Sequence, residues 1–305
     1  MPHRIFALAI LALAMNLGAT SSTRATASAP PSSQAAVRAL PGNIFAANLS
    51  SHSVSQHDGN SGESLGDFVA SGAGGLVGPT GIAFGPDGDL YVGSSGSNQV
   101  LRFDGDTGEP IDVFTKSAIE RPFSIIFSPD GDLLVSSRDQ ILRINPEGQI
   151  LGEAVVSDKL RQPIGLRFGP ENKLYVANSR GDNVLVFDWP SGTLVNEIDS
   201  ESLRFPSDVD LTPDGRLLVS SAFTRAVHVF DPITGQELPD VAMLPEGSAP
   251  VGLALDDIGR VWIADFAANA LYRWPISGQL TGALSSTGLA GPENIAIKPR
   301  EVRDR

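Results

Sequence analysis

A proline that opens a short apolar run recurs at Pro79, Pro122, Pro163, Pro206, Pro250 and Pro292, every 41 to 44 residues. A period of roughly 40 residues marks a repeated supersecondary unit, and the four short strands of a propeller blade fill about that length. The copy PTGIAFGPDGDLYVGSSGSNQVLRFD, residues 79–104, shows the unit best. Strand a is predicted at 81–84, b at 90–92, c at 99–103 and d at 111–114. Turn residues separate each pair, and no stretch keeps a helical apolar period over ten residues.

The two ends of the chain decide between an open stack and a ring. Residues 43–58 align without a gap on 89–104, which are strands b and c, and 64–69 resemble a strand d. No strand a precedes them. Residues 292–299 supply one. The two segments are therefore expected to complete one blade together. The fold class predicted is an all-β, six-bladed propeller with four-stranded blades. Closing the ring removes the sheet edges that would otherwise template aggregation.

Residues 1–27 read as a secretory signal peptide: His3 and Arg4, an apolar run from Ile5 to Met15, and the small-x-small site Ala25-Thr26-Ala27. The apolar run is too short to span a bilayer. Residues 28–41, rich in Ala, Pro and Ser, read as a flexible lead-in, 42–300 as the propeller, and 301–305 as a tail. The chain has no cysteine. Export without disulfides points to a bacterial periplasm or medium. The net charge is −13, and loss of Arg4 and Arg24 with the signal makes it −15. Acid spread through every unit disfavours nucleic acid and anionic membrane as partners. With no span left after signal removal, a monomer meeting a small molecule or a protein is expected.

The Pro-Asp-Gly turns at 86–88, 129–131 and 213–215 look at first like ion sites. Each offers one carboxylate, whereas a calcium loop needs several oxygens; turn chemistry explains the triplet. The residues heading the b–c connections are Asn48, Ser94, Ser137, Asn178, Ser221 and Asp265. All are small and polar, and such side chains cap nearby backbone. The connection that begins at Ser137, in the second unit, is two residues shorter than the rest, and Arg138, Arg180 and Arg225 decorate these loops.

The residue after each anchor proline is expected to approach the central channel: Thr80, Phe123, Ile164, Ser207, Val251 and Glu293. The next ring out is Gly81, Ser124, Gly165, Asp208, Gly252 and Asn294. Phe123, Ile164 and Val251 would form an apolar floor, with Asp208, Glu293, Asn294 and Arg138 as polar handles, on the face of the b–c and d–a loops. No cofactor is firmly implied. A divalent cation, Ca²⁺ or Mg²⁺, could draw only on Glu293, Asp208, Asp265 and Asn48. Arg167 and Asp210 hold matching places in adjacent units and predict an inter-blade ion pair. His228 and His57 fall on packing positions of strand c, and His52 on a b–c loop.

The units resemble NHL-type repeats. The matching pieces are Pro-x-Gly-Ile-Ala-Phe, the Pro-Asp-Gly-Asp turn, Leu-Tyr-Val before a small polar residue, and Val-Leu-Arg-Phe-Asp; Val261-Trp262-Ile263-Ala264-Asp265 is the nearest copy. The likeness spans residues 43–299. The same six-bladed superfamily includes the gluconolactonase and senescence-marker group and the streptogramin lyases. Resemblance to the first implies a divalent metal held by Glu, Asn and Asp just after the anchor prolines, where Glu293 is the one carboxylate. Resemblance to the second implies histidines and a glutamate around the channel. Fold does not select among these activities. The function expected is an exported binding propeller; the alternative is a metal-assisted hydrolase or lyase centred on Glu293.

Overall fold

The computed structural model describes residues 42–276 and 279–299. The signal segment, most of the lead-in and the tail lie outside the described residues. Within them are six antiparallel sheets. Blade 1 runs through Pro79–Phe84, Leu90–Ser94, Gln99–Phe103 and Pro110–Val113. Blades 2 to 4 repeat it, with inner strands Pro122–Phe127, Pro163–Phe168 and Pro206–Leu211, and blade 5 starts with Pro250–Leu255. The closing blade takes its inner strand from Pro292–Ile297 and its other three from Ile44–Asn48, Ser53–His57 and Ser64–Val69.

That shared blade is zipped in register, with Ile44 opposite Ile297, Ala46 opposite Ile295 and Ala47 opposite Asn294. The amide of Gly42 donates to Lys298 O and that of Leu49 to Gly291 O, both at 3.0 Å. Alternation along 44–47 feeds two cores. Ile44 and Ala46 pack with Trp262, Leu271 and Ile295. Phe45 and Ala47 pack with Phe68, Leu90 and Phe103 of the other flank. One five-residue strand therefore joins both neighbouring blades.

Blade 5 departs from the four-strand expectation. It has three strands, Pro250–Leu255, Val261–Asp265 and Ala270–Trp274. The outer place is held by a single bridge between Leu271 and Ser285, supported by Thr281 N donating to Arg273 O at 3.1 Å. Residues 279–291 hold Gly282, Ser285, Ser286, Thr287 and Gly288 and no alternating apolar run, so they cannot present a continuous packing face.

The Pro-Asp-Gly turns do what their chemistry predicts. Gly88, Gly131, Gly215 and Gly259 take φ of 85°, 90°, 85° and 81°, the region glycine enters without cost. In the third unit Glu171 and Asn172 take up positive φ instead. The b–c connection of blade 2 is, as expected, a tight turn: only Arg138 and Asp139 separate its strands.

Every inner strand shows the same irregularity. Pro79 pairs with Ser94, but the next matched pair is Ile82 with Val92. The register also shifts just after Pro122, Pro163, Pro206, Pro250 and Pro292. The residue following each anchor proline is thus the extra residue of a β-bulge, a device that locally re-aims side chains.

Candidate functional site: the central channel

The inner strands enter at the bulge and leave at the a–b turns, and the channel between them has three levels. The first holds the bulge residues Thr80, Phe123, Ile164, Ser207, Val251 and Glu293. Several are spent on structure. Thr80 Oγ1 donates to Pro122 O of the next blade at 2.6 Å. Ser207 Oγ donates to Phe205 O at 3.2 Å. The carbonyls of Ile164 and Val251 accept from Ser136 and Ser220 of the preceding blades, at 2.7 and 3.0 Å.

The second level is a three-fold alternation. Gly81, Gly165 and Gly252 belong to blades 1, 3 and 5. A Cβ on any of them would lie 2.5–2.8 Å from backbone of the following inner strand, at Ser124 and Ile125, Asp208, or Asn294. Each glycine lets the next strand close in. Those next strands carry Ser124, Asp208 and Asn294. Asn294 Nδ2 donates to Asp208 Oδ2 at 3.1 Å. Asp208 also accepts from the amides of Val209 and Leu253, both at 2.9 Å. Burial pushes its carboxyl up to about 7, while the Leu253 and Val209 amides pull the other way.

The third level is a cavity of about 470 Å³. Its lining begins at Ser124, Asp208 and Asn294 and continues along the last residues of the inner strands to Phe84, Phe127, Phe168, Leu255 and Ile297. It therefore opens on the a–b turn side, the far end from the b–c and d–a loops where the sequence places a ligand. Of the nine expected ligand contacts, Asp208 and Asn294 line it. The other seven divide between the six bulge residues and Arg138, which pairs with Glu120 on its loop.

One charged pair sits in the cavity wall. Arg167 Nε lies 2.9 Å from Asp210 Oδ1, the inter-blade pair the sequence predicts. Asp210 is buried, and its oxygens also accept from the amides of Leu211 at 2.7 Å and Leu255 at 3.0 Å. Burial raises its carboxyl, and the Arg167 charge acts in the opposite sense. Arg167 itself is half-exposed, 49% by side chain.

The heads of the b–c loops turn out to be straps. Ser94 Oγ accepts from Val77 N at 3.0 Å, and Asn178 Oδ1 from Arg161 N at 2.6 Å. Ser221 Oγ accepts from Arg204 N, and Asp265 Oδ1 from Ala249 N, both at 2.9 Å. Asn48 Oδ1 accepts from Ala290 N at 3.1 Å, and Ser137 donates to Glu120 O. Each holds the segment leading into its anchor proline. Asn48 and Asp265 are thereby engaged with backbone, and Asp208 with two amides and Asn294. Among the described residues no three His, Asp or Glu side chains come together in a metal-holding group.

Glu293 differs from its ring. No hydrogen bond or ion pair holds its side chain among the described residues. It is partly reachable by channel water, yet burial pushes its carboxyl up to about 7. At pH 4 folded and unfolded chains both carry the proton. Between about 4.5 and 7 the unfolded chain gives it up while the folded chain keeps it, so wild-type stability falls across that window. Glu293→Gln should match wild type at pH 4 and exceed it at pH 8. Full burial would set the gap at about 3 kcal/mol; channel water lowers it to about 2. Urea unfolding at both pH values reads this, and a gap independent of pH would refute the assignment.

The histidines lie elsewhere. His52 Nδ1 accepts from Gly78 N at 2.9 Å, another strap. His57 is buried beside Ser55 Oγ, and burial holds its pKa near 4. His228 is buried as predicted, but it is also bonded at both nitrogens: Nδ1 is 2.8 Å from Glu237 Oε1 and Nε2 3.1 Å from Thr224 Oγ1. Burial alone would raise the Glu237 carboxyl; hydrogen bonds from Ser200, Ser202 and His228 bring it below its ordinary value. This array ties blade 4 to the strap before it. Nothing in the sequence pairs Thr224 with Glu237. They meet because the register slips between His228 and Phe230.

The comparisons with known proteins agree with this architecture. The model of the virginiamycin B lyase family matches residues 72–302. Virginiamycin B lyase from Staphylococcus aureus, in selenomethionine form, superposes with a TM-score of 0.56 at 20% identity, covering 71% of this chain and 73% of that one. A catalytically inactive variant of that lyase with quinupristin gives 0.56 at 18%, covering 74% and 85%. A nidogen/laminin complex gives 0.70 at 16%, covering 84% and 98%. Similarities this distant speak for the fold. No curated protein matches. With three quarters of its length matched by one family model, the chain belongs to the virginiamycin B lyase family.

Proposed function

We propose that this propeller is a binding module whose channel receives a small, mostly apolar molecule through the a–b turn mouth. The observation that carries the reading is the cavity of about 470 Å³, walled by Phe84, Phe127, Phe168, Leu255 and Ile297. A concave space of a few hundred Å³ in which apolar side chains stand beside exposed polar groups has the form of a small-molecule site. Arginines stand among the acids of the surrounding turns: Arg102 meets Asp87, Asp89 and Asp112, Arg143 meets Asp130 and Asp132, and Arg216 meets Asp214 and Asp240. The reading includes export, which rests on the sequence of residues 1–27 alone.

Family membership supports a second reading, an elimination reaction with Glu293 as the proton acceptor. Against it stand the described histidines, each engaged away from the cavity, and the place of Glu293 at the opposite end of the channel. The binding reading is the better supported.

The test uses N-phenyl-1-naphthylamine, a neutral dye that brightens in apolar surroundings. Wild type should bind one equivalent with a micromolar Kd. Ile297→Lys, which puts a charge in the wall at the mouth, should weaken it at least tenfold with an unchanged thermal midpoint. No saturable binding, or binding indifferent to Ile297→Lys, would overturn the proposal.

A further inference from the structure

The geometry points to a ligand with an anionic head group, a carboxylate or its like, received by Arg167. This deepens the binding reading and rests on it. Asp210 is anchored by the amides of Leu211 and Leu255. Arg167 is its ion-pair partner, with Nε 2.9 Å from Oδ1. The two Nη groups of Arg167 have no partner among the described residues, and the side chain is half-exposed in the cavity lining. A half-exposed guanidinium beside a buried carboxylate keeps donors for the cavity, in the spacing that suits two oxygens of one anion.

The other charged groups around the cavity leave this role to Arg167. Asp208 spends its oxygens on Val209, Leu253 and Asn294. Lys298 is turned to Gly105 O and Asp106. At the level of Arg167 and Asp210 the other strands present Ala83, Ile126, Ala254 and Ala296. A head group at Arg167 would thus have an apolar body lying against Phe84, Phe127 and Ile297. Neutral apolar molecules of the same shape would forgo the charged contact.

The experiment compares two dyes with one skeleton: 8-anilinonaphthalene-1-sulfonate, which carries the anion, and N-phenyl-1-naphthylamine, which does not. Wild type should bind the sulfonate at least tenfold more tightly, the yield of a charge-assisted pair in a cavity. Arg167→Gln combined with Asp210→Asn removes both charges together. It should erase the preference and leave the neutral dye bound as before, which also certifies the fold. If that pair fails to fold, Arg167→Met alone reads the same ratio. Equal affinity for the two dyes in wild type, or a preference that survives loss of Arg167, overturns the head-group assignment and leaves the cavity reading standing. Failure of both dyes overturns both.

Discussion

A chain cut after Gly291 is expected to lose cooperative folding altogether. The cut removes the inner strand of the closing blade, and with it the five-pair ladder to Ile44–Asn48. It also removes Ile295 from the core around Trp262 and Ala296 from the core it shares with Phe84. The neighbouring inner strands of blades 1 and 5 lose their partner across the channel at the same stroke. A domain holds only about 5–15 kcal/mol in reserve. Several buried aliphatic side chains at about 2 kcal/mol each, plus a ladder of exposed amides, consume most of that. Near-UV circular dichroism and a urea titration read the result. A sharp transition within a few degrees or tenths of molar of wild type would mean the ring does not depend on this strand.

Asp210→Ala is expected to cost about 3–4 kcal/mol. The change strands the amides of Leu211 and Leu255 in a buried setting and leaves Arg167 without its anchor. An unsatisfied buried donor costs about 1–3 kcal/mol. Arg167 adds less, because it is half-exposed and water recovers its charge. The pair is therefore not the fully enclosed one that would command the largest penalties. Asp210→Asn keeps one acceptor and should cost about half as much. A loss below about 1 kcal/mol for the alanine variant, in denaturant unfolding, would show that the carboxylate is not holding those amides.

The sequence made the ring legible because the repeat is local. Pro-x-Gly, the apolar run and the Pro-Asp-Gly turn lie within ten residues of one another, and each carries its own conformational preference. The strand c assignment of 99–103 holds without change, and strand a is longer than predicted by the proline and its bulge residue. The Arg167–Asp210 pair was readable because blades stack in register. The cavity was not. It depends on which end of a channel is filled, and that is settled by straps and bulges between residues far apart. The small polar residues that head the b–c loops cap nearby backbone, as the sequence reads them, and the backbone they hold is the segment before each anchor proline. Blade 5 shows the same limit, since a missing outer strand leaves no mark on the anchor that defines the repeat.

The shared blade also sets a clock. Ile44–Asn48 is made early, and its partner Pro292–Ile297 about 250 residues later. At about 5–20 residues per second of synthesis, the first three strands of that blade wait tens of seconds with one side unoccupied. Folding cannot then proceed from the amino terminus onward: the last segment to arrive supplies the first blade. Contacts of such long sequence separation also slow the search itself. During that interval the newborn chain is a target for chaperones, and its yield should respond to the pace of translation more than its final stability does.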